Sequence, residues 1–452
     1  MINPQLKQQV ETLREAFGYI TRFKNETFVI QLESSLLNHP GFPILIKDIV
    51  LLHQMGIKIV LVPGAKVRID EVLAAYKIAT KTVDGIRIST ADAIPFIKMA
   101  AFDVSNKIMT MLAASNTNAI VGNWVKARGI GIRRGIDFQN SGIVDKINTD
   151  IVARSLSDGI IPIFPNIGWN AQGTPYNISS NELALALSIA LKASKLFFIT
   201  DSGGISAKDY TISKEIYINS DNYIGYMTVA QAETLIKSSK RNKRNNPNEL
   251  IELACNACRN KVDRVHIVDG RIDGMILKEI FSNRGLGTMI YANSHDNIRP
   301  MVQVDIPEVL RIMQPLVDAE ALLPRSAENL EEHISDYAVY EVDGIIHGCC
   351  ALYKYPGRIG EIGGIVVDEL YANMGIGKRL VHYFIDRSYE LKLKTLIVLT
   401  TQTADWFSEI GFTKGTVAML PATRLQQYNK KRSSLVLYKN LGKRNGRRFD
   451  VD

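Results

Sequence analysis

The stretch that most constrains this chain is an apolar run followed by a glycine-containing loop and a helix. Residues 362–367 read Ile-Gly-Gly-Ile-Val-Val, a β-branched run that predicts a buried strand. From Lys378 onward, apolar residues recur at helical spacing. Gly375 and Gly377 therefore fall in the loop that enters the helix, where glycine lets a ligand approach backbone N–H groups closely. This order predicts a strand–loop–helix unit suited to a phosphate or pyrophosphate.

The same pattern has a simpler interpretation, in which the glycines only permit a tight turn. A single Gly-x-Gly is a weak signal. The spacing excludes a nicotinamide fingerprint, because the third glycine and a following βαβ repeat are missing. It also does not match a kinase P-loop. The spacing alone leaves a phosphate cradle and a plain turn both open.

The chain has 452 residues, which is too long for one ordinary domain. Its apolar content of 46% and charged content of 22% are typical of a folded globular protein. No window holds ~18 unbroken apolar residues, so we expect no transmembrane helix and no membrane partner. The first ten residues lack the pattern of a signal peptide, and we therefore expect a cytoplasmic protein.

The net charge of +8 suits anionic ligands and also raises the question of nucleic acid. Much of the excess lies in two short runs, residues 237–244 and 443–448. Neither run interleaves aromatic residues that could stack on bases, so solvated loops are favoured and no nucleic-acid partner is expected.

The four cysteines do not form a disulfide framework in a chain of this size. Cys255 and Cys258 form a C-x-x-C that could be a redox pair or half of a zinc site, but no second C-x-x-C is present. Cys349 and Cys350 are adjacent in an apolar strand. We predict that all four are core residues and that the chain holds no metal.

Strands and helices alternate over the first two thirds of the chain. The alternation predicts a mainly parallel sheet covered on both faces. The predicted strands are 28–32, 57–62, 119–121, 160–164 and 196–200, and the predicted helices are 43–55 and 181–191.

A polar, turn-rich segment separates this part from a shorter α+β unit. That unit is predicted to contain a helix at 306–323, a hairpin of strands 337–342 and 345–353, a strand at 395–400, a helix at 404–409 and a strand at 435–439. The predicted organisation is an N-terminal helix or arm (1–22), a first domain (23–291), a linker (292–300), a second domain (301–442) and a basic tail (443–452).

The second domain resembles a GNAT-type N-acetyltransferase. That family's cofactor loop reads Arg or Gln, two residues, Gly, one residue, then Gly or Ala; here Ala372 stands at the leading position, before Asn-Met-Gly-Ile-Gly. The family's Gly-Phe is matched by Gly411-Phe412. The resemblance implies that Gly363-Gly364 form a bulge opening the sheet for the pantetheine arm. It implies an acetyl-CoA site at Ile365, Val366, Val367, Asn373, Met374, Gly375, Ile376, Gly377 and Lys378.

Longer stretches resemble the bacterial N-acetylglutamate synthase family over nearly the whole chain. They are residues 323–332, 348–353, 398–407, 420–421 and 428–434. The resemblance implies transfer of acetyl from acetyl-CoA to L-glutamate, the first step of arginine biosynthesis.

Four residues at family-matched positions would carry that chemistry. Glu361 is the candidate base that keeps the amine neutral. Arg325 and Arg432 are the candidate clamps for the glutamate carboxylates. Thr400 is the remaining hydroxyl for the leaving thiolate, because Phe407 stands where many GNAT enzymes have a Tyr. The plain alternatives are a solvated carboxylate for Glu361 and surface positions for both arginines.

The first domain resembles the amino acid kinase fold. Residues 266–271 and 279–290 resemble the arginine-binding signature of arginine-sensitive members. The resemblance implies L-arginine as an effector, with Glu279 facing its guanidinium. His266 would contribute to the site, and backbone near Gly285 and Gly287 would close it. The alternative is a surface helix end followed by a glycine turn.

The same resemblance implies that the kinase-like domain is catalytically silent. Active relatives have Lys and Gly-Gly where this chain has residues 31–34, Gln-Leu-Glu-Ser. Their second glycine-rich loop is matched by residues 63–66, their organising Asp by Asn181 and a later Lys by Leu250. Phosphoryl transfer needs cations and glycine N–H groups around the phosphates. We expect the fold to be kept for regulation and assembly.

The predicted fold class is therefore α/β: an amino acid kinase-like parallel sheet domain followed by an α+β GNAT-like acetyltransferase domain. The N-terminal arm suggests a homo-oligomer, although it could also pack on its own domain. A non-catalytic arginine sensor with a decayed acetyltransferase domain is the alternative function, kept open by Ala372 and Phe407.

Overall fold

A computed structural model of the chain describes residues 23–212, 216–219, 221–238, 248–281, 286–292, 296–342, 345–368, 375–429 and 432–442. The predicted N-terminal arm, the basic tail, Gly285, Ala372, Asn373 and Met374 lie outside these residues. Two compact units divide the chain, residues 1–293 and 294–452. In the described part of the chain, every helix is too short or too polar to cross a bilayer.

Unit 1 is built from alternating strands and helices. Its strands are β1 (Thr27–Leu32), β2 (Lys58–Pro63), β3 (Lys81–Val83), β4 (Ile86–Ile88), β5 (Ala119–Val121), β6 (Val125–Gly129), β7 (Ile132–Arg133), β8 (Ile136–Asp137), β9 (Gly142–Ile147), β10 (Ile161–Ile163), β11 (Ile167–Trp169), β12 (Pro175–Asn177), β13 (Lys195–Thr200), β14 (Tyr217–Ile218), β15 (Ile224–Thr228), β16 (Arg264–Asp269) and β17 (Thr288–Tyr291). Its α-helices are α1 (Phe42–Gln54), α2 (Lys66–Ala75), α3 (Ile94–Ala114), α4 (Thr149–Ser157), α5 (Ser180–Ala190), α6 (Val229–Ser238), α7 (Glu249–Arg259) and α8 (Met275–Phe281).

The main sheet of unit 1 has the strand order β14-β15-β17-β16-β13-β1-β2-β10-β5. Neighbouring strands are parallel except at β14–β15 and β16–β17, so the predicted mainly parallel sheet is confirmed. Phe28, Val29 and Ile30 are consecutive and fully buried. Because successive strand residues point to opposite faces, both faces of the sheet are covered. A smaller sheet, β12-β11-β6-β9, and the hairpins β3–β4 and β7–β8 complete the unit.

Unit 2 is an α+β structure around one sheet. Its strands are β18 (Asp296–Pro300), β19 (Tyr337–Val342), β20 (Ile345–Tyr355), β21 (Ile359–Val367), β22 (Thr395–Thr400), β23 (Thr413–Lys414) and β24 (Leu435–Asn440). Its α-helices are α9 (Ile306–Asp318), α10 (Ala327–Glu332), α11 (Ile376–Glu390), α12 (Ala404–Glu409) and α13 (Ala422–Gln426). The strand order is β18-β19-β20-β21-β22-β24-β23, antiparallel except for the pair β21–β22. Apolar residues of α11 pack on one face of this sheet, and those of α9 pack in a second apolar cluster.

Two predicted elements of unit 2 differ from the structure. Residues 296–300, assigned to the linker, instead form β18, because Ile298 joins the apolar cluster and Arg299 pairs with Glu341 and Asp305. The helix predicted at 306–323 ends at Asp318, where the chain turns and Glu320 takes a positive φ of 55°.

Candidate functional site

Strands β21 and β22 diverge in the middle of the unit 2 sheet. Their parallel pairing covers Ile359 to Glu361 and stops where Glu361 meets Ile397. β21 nevertheless continues to Val367, and β22 continues to Thr400. Within the described residues, the β22-facing backbone of the last part of β21 has no ladder partner. The gap can accept an extended ligand that adds to the sheet through backbone hydrogen bonds.

A bulge in β21 lies beside this gap. Cys349 pairs with Val366 and Ala351 pairs with Gly363, so β21 has one extra residue against β20. Gly364 has a positive φ of 60° there, a conformation that favours glycine. The bulge predicted for Gly363-Gly364 is confirmed.

The N-terminus of α11 follows the end of β21. Gly375 caps it in the left-handed conformation, with φ of 72°, and the first turn has no acidic residue. Its amide groups and the exposed Lys378 give this end positive character. Ile376 and Val366 are buried, so a ligand can meet only their backbone. Gly377 packs near Trp406: a Cβ added there would lie 3.4 Å from its ring.

Glu361 lies at the point where β21 and β22 separate, and it is 6% exposed. The guanidinium of Arg424 donates to both carboxylate oxygens, with Nε 2.6 Å from Oε2 and Nη2 3.1 Å from Oε1. The hydroxyl of Tyr355 donates to the same Oε2 at 2.9 Å. Burial and the charge of Glu361 raise the pKa of Tyr355, so its hydroxyl stays protonated. The alternative interpretation of Glu361 as a solvated surface carboxylate does not match this buried, hydrogen-bonded environment.

Arg325 is held by two tyrosines. Its Nε donates to the Tyr337 hydroxyl at 3.1 Å, Nη2 lies 3.5 Å from the Tyr353 hydroxyl, and the two hydroxyls are 2.8 Å apart. Burial raises the pKa of Tyr337, so it is a neutral partner. Among the described residues, no carboxylate forms an ion pair with Arg325. Arg325 lies near enough to repel the like charge of Arg424, so two guanidinium groups and the carboxylate of Glu361 meet in this part of the unit.

Arg432 does not join this cluster. Its guanidinium donates to the backbone carbonyls of Glu320 and Ala321, just after α9. Arg432, one of the two arginines predicted to bind the substrate carboxylates, is therefore bound to backbone carbonyls. Arg424 contacts Glu361 instead. Sequence reasoning missed Arg424 and the tyrosines. The only available signal for Arg424 was its position between two family-like stretches, 420–421 and 428–434.

Thr400 ends β22 on the side of the gap. Its Oγ1 accepts backbone N–H groups from Gln402 at 3.3 Å and Thr403 at 3.0 Å, and it lies 2.8 Å from the Thr403 hydroxyl. These contacts commit the hydroxyl to a turn, although it remains at the surface. Phe407 is buried against Phe412 and offers no polar group.

The predicted arginine-binding residues of unit 1 form a buried polar row. Nδ1 of His266 lies 2.8 Å from Oε1 of Glu279, and Oε2 accepts the backbone N–H groups of Leu286 at 2.9 Å and Gly287 at 3.3 Å. His266 and Glu279 are 2% and 6% exposed. Lys195, which was not predicted, extends the row with Nζ 3.5 Å from Nε2 of His266.

Burial and neighbouring groups together set the charges in this row. Burial and the charge of Lys195 lower the pKa of His266 to about 4, so the imidazole is neutral at pH 7. Burial would raise the pKa of Glu279, but the hydrogen bonds from His266 and Gly287 outweigh it, and the pKa is lowered. A neutral ring donates from Nδ1 to Glu279 and accepts at Nε2 from Lys195. Any guanidinium reaching Glu279 therefore competes with these partners.

The residues that replace a kinase site are also engaged. Oε2 of Glu33 accepts the backbone N–H of Asp201 at 2.9 Å. The amide of Gln31 contacts the Ser180 hydroxyl at 3.4 Å, and Asn181 donates to Glu249 at 3.2 Å. A carboxylate, rather than a glycine N–H, thus lies at the end of β1.

All four cysteines are buried free thiols, as predicted. Burial raises the pKa of Cys255 to about 11 and that of Cys258 to about 12, so neither is a thiolate near neutral pH. In the described part of the chain, no group of three or more His, Cys, Asp or Glu side chains could hold a metal ion.

Comparisons with known proteins match both units. Residues 26–269 match the amino acid kinase family, and residues 307–412 match the acetyltransferase (GNAT) family. An amino-acid acetyltransferase from Ralstonia nicotianae is 33% identical over 97% of this chain and 96% of its own length. The amino-acid acetyltransferase of Escherichia coli strain K12 is 31% identical over 98% of this chain and its full length. The predicted combination of an amino acid kinase-like and a GNAT-like domain is confirmed.

A solved structure resembles the chain over nearly its whole length. N-acetylglutamate synthase from Neisseria gonorrhoeae, complexed with coenzyme A and L-arginine, is 30% identical, with a TM-score of 0.80, and the match covers 96% of this chain and 99% of that one. The same enzyme complexed with coenzyme A and N-acetyl-glutamate gives a TM-score of 0.59 at the same coverage.

Proposed function

The chain belongs to the amino-acid acetyltransferase family, and we propose that it transfers the acetyl group of acetyl-CoA to the amino group of L-glutamate. The observation that carries the proposal is the gap between β21 and β22, with Glu361 at its closed end. A similar enzyme, from Neisseria gonorrhoeae, has been solved with coenzyme A and N-acetyl-glutamate, which supports this choice of substrates.

Acetyl-CoA would enter the gap with its pantetheine arm along β21. Backbone groups of Ile365, Val366 and Val367 would pair with the amides of the arm, as a further strand would. The pyrophosphate would meet the start of α11, where Gly375, Ile376, Gly377 and Lys378 supply backbone N–H groups and one positive charge. The thioester would then lie toward Glu361.

L-Glutamate would be held by the two guanidinium groups near that point. A planar guanidinium pairs with a carboxylate through two hydrogen bonds, and glutamate has two carboxylates. Arg325 and Arg424 are better placed than Arg432, which is bound to carbonyls after α9. Glu361 would take the proton of the substrate ammonium, so that the neutral amine attacks the thioester carbonyl.

The leaving thiolate does not need a proton donor from the protein. A thiolate is a good leaving group, and the hydroxyl of Thr400 is a poor acid. Phe407 is buried and apolar, so it cannot donate a proton to the thiolate. Water would protonate the coenzyme A thiolate after the C–S bond breaks.

Unit 1 would bind L-arginine as an effector at Glu279, His266 and the segment around Gly285 and Gly287. The support is the buried carboxylate of Glu279 and the arginine complex of the similar Neisseria gonorrhoeae enzyme. The guanidinium would replace one or more of the donors that now satisfy Glu279. The same unit would be silent as a kinase, since Glu33 places a carboxylate where phosphates would need donors. A homo-oligomer and a cytoplasmic location stay predictions.

The test is thiol release from acetyl-CoA with L-glutamate, with and without L-arginine. Release that depends on glutamate and changes with arginine is the expected result. Release that ignores arginine would reject the effector site and keep the transferase. The absence of release with any amino acid would favour the arginine sensor with a decayed acetyltransferase domain.

A further inference from the structure

We propose that Arg424 is a latch on Glu361 and that a carboxylate of the substrate opens it. The inference rests on the proposed transferase function and goes beyond it, because it says when Glu361 becomes a base. In the latched state, the guanidinium of Arg424 is paired with the carboxylate of Glu361. In the open state its guanidinium has moved to a substrate carboxylate, and Glu361 is released to accept a proton.

The first step is the number of donors on Glu361. Among the described residues, Oε2 receives both Nε of Arg424 and the Tyr355 hydroxyl, whereas Oε1 receives Nη2 of Arg424 alone. Both side chains of the ion pair are largely buried, at 8% exposure for Glu361 and 18% for Arg424. A carboxylate has about four acceptor sites, so a substrate ammonium would meet Glu361 beside the guanidinium of Arg424, and two like charges there favour exchange of one for the other.

The second step identifies the oxygen that is freed. Removal of Arg424 leaves Tyr355 on Oε2, because this hydroxyl stays protonated. Oε1 then has no donor from this cluster. It also lies toward β21, 3.9 Å from where a Cβ on Gly363 would stand. Oε1 is therefore the atom that takes the proton, and Tyr355 keeps the carboxylate in place.

The third step is the contrast between the two arginines of the site. Among the described residues, Arg325 contacts two tyrosine hydroxyl groups and no carboxylate, so it needs no exchange to accept a carboxylate. All three guanidinium nitrogens of Arg424 already have acceptors, Nε and Nη2 on Glu361 and Nη1 on the carbonyl of Gln427, so a second carboxylate pairs with two of them by displacing Glu361. A ligand with one carboxylate can satisfy Arg325 and leave the latch closed. A ligand with two carboxylates opens it, which makes the latch a selector for dicarboxylic amino acids.

The atoms balance in the reaction that follows. The substrate ammonium gives its proton to Oε1 of Glu361, and the nitrogen lone pair attacks the thioester carbonyl carbon. The C–S bond breaks, and its electron pair leaves on the coenzyme A sulfur. The nitrogen gives its second proton to solvent as the amide forms, Glu361 returns the first proton to solvent, and solvent supplies the proton of the thiol. With the latch closed, the same base is withheld from water. The latch therefore also suppresses hydrolysis of acetyl-CoA when no amino acid is bound.

The experiment compares Arg424→Gln with wild type in the full chain. Thiol release from acetyl-CoA is measured with L-glutamate, with L-glutamine as the isosteric amide, and without any amino acid. Arg387→Gln is the matched control, because it removes the same charge from an exposed pair with Glu390 on α11. Arg424→Lys keeps the charge without the two-pronged pairing and serves if the first variant does not fold. An acetyl-CoA KM within about twofold of wild type indicates an intact cofactor site.

The latch predicts that Arg424→Gln lowers kcat/KM for glutamate about 100-fold while release without amino acid rises about tenfold. Adding Glu361→Gln to Arg424→Gln must abolish that rise. A fall with glutamate but unchanged release without amino acid would make Arg424 a simple clamp and overturn the latch. Unchanged kcat/KM for glutamate would overturn it as well. Lack of glutamate-dependent release by the wild type would instead reject the proposed function.

Discussion

Nδ1 of His266 lies 2.8 Å from Oε1 of Glu279, and both side chains are buried in unit 1. The imidazole is neutral at pH 7, so this contact is a hydrogen bond to a carboxylate rather than a pair of opposite charges. Phe197 stacks on the ring at 4.8 Å between centroids, which fixes its plane. The arrangement aims the other carboxylate oxygen at the N–H groups of Leu286 and Gly287.

Lowering the pH should reduce the local stability of unit 1 around His266. The folded-state pKa of His266 is about 4, below its ordinary value of 6.5, so between these values the unfolded chain binds more protons than the folded chain. The stability that His266 contributes is complete above pH 6.5 and is lost as the pH falls toward 4. The lowered pKa of Glu279 acts in the same direction at still lower pH. We expect a loss of roughly 3 kcal/mol in local opening free energy as the pH falls from 6.5 to 4.

Hydrogen-exchange protection factors of the β16 amides, measured at several pH values, test this expectation. His266→Asn should flatten the pH dependence, because asparagine keeps a donor for Glu279 but does not titrate. His333→Asn, at a more exposed histidine of unit 2, is the control and should leave the slope in β16 unchanged. An equal slope in wild type and His266→Asn would contradict the assignment.

Glu279→Gln should remove the response to L-arginine. Glutamine preserves the shape of the side chain but loses the negative charge that would face the guanidinium. We expect the ratio of thiol release with and without arginine to approach 1. Glu71→Gln, which removes an exposed carboxylate from α2, should keep the wild-type ratio. An undiminished ratio in Glu279→Gln would move the effector site elsewhere.

The strand–loop–helix unit could be predicted because its signals are local. The β-branched run ending at Val367, the glycine at 375 and the periodicity after Lys378 each act within a few residues, and the structure has β21 and α11 in these places. The bulge at Gly363-Gly364 was instead implied by the resemblance to GNAT acetyltransferases. Residues 296–300 were assigned to a linker and strand β18 was missed, because its partner β19 lies about forty residues away in sequence, beyond the reach of local patterns.

The partners of Glu361 could not be predicted for the same reason. Arg424 is 63 residues away from Glu361 along the chain. The short helix α13 decides that Arg424, rather than Arg432, points at the carboxylate. The sequence of segment 424–432 alone does not show which of its two arginines contacts Glu361. The buried partners of Glu279 were equally hidden, since Lys195 comes from a different strand.

Glu361→Gln should lower kcat strongly. The variant cannot accept the ammonium proton, and positioned general bases typically contribute 10²–10⁴-fold, so we expect a fall of about 100-fold or more at neutral pH. The KM for acetyl-CoA should change little, because the proposed cofactor contacts are residues 365–367 and 375–378 and do not include the Glu361 side chain. Tyr355→Phe, which removes one donor from Glu361 but keeps the base, should cost much less. Near-normal turnover of Glu361→Gln would eliminate this residue as the base.

Gly375→Ala should weaken acetyl-CoA binding without slowing the chemistry. Gly375 has φ of 72°, and a Cβ there would meet no atom of the described residues within 4 Å, so we expect the substitution to act through backbone strain. Strain of ~1 kcal/mol disfavours the left-handed cap that orients the first N–H groups of α11, and we expect the KM for acetyl-CoA to rise about fivefold at nearly constant kcat.

Gly357→Ala supplies the matched control for this prediction. Gly357 is also exposed, has φ of 84° and has only Ile359 atoms near 4 Å, but it lies in the turn between β20 and β21. The two substitutions therefore strain the backbone alike and differ in whether the strain falls on the proposed pyrophosphate site. A selective rise in KM for Gly375→Ala supports that site. Equal effects of the two variants would show that general destabilisation, rather than the helix N-terminus, controls the KM.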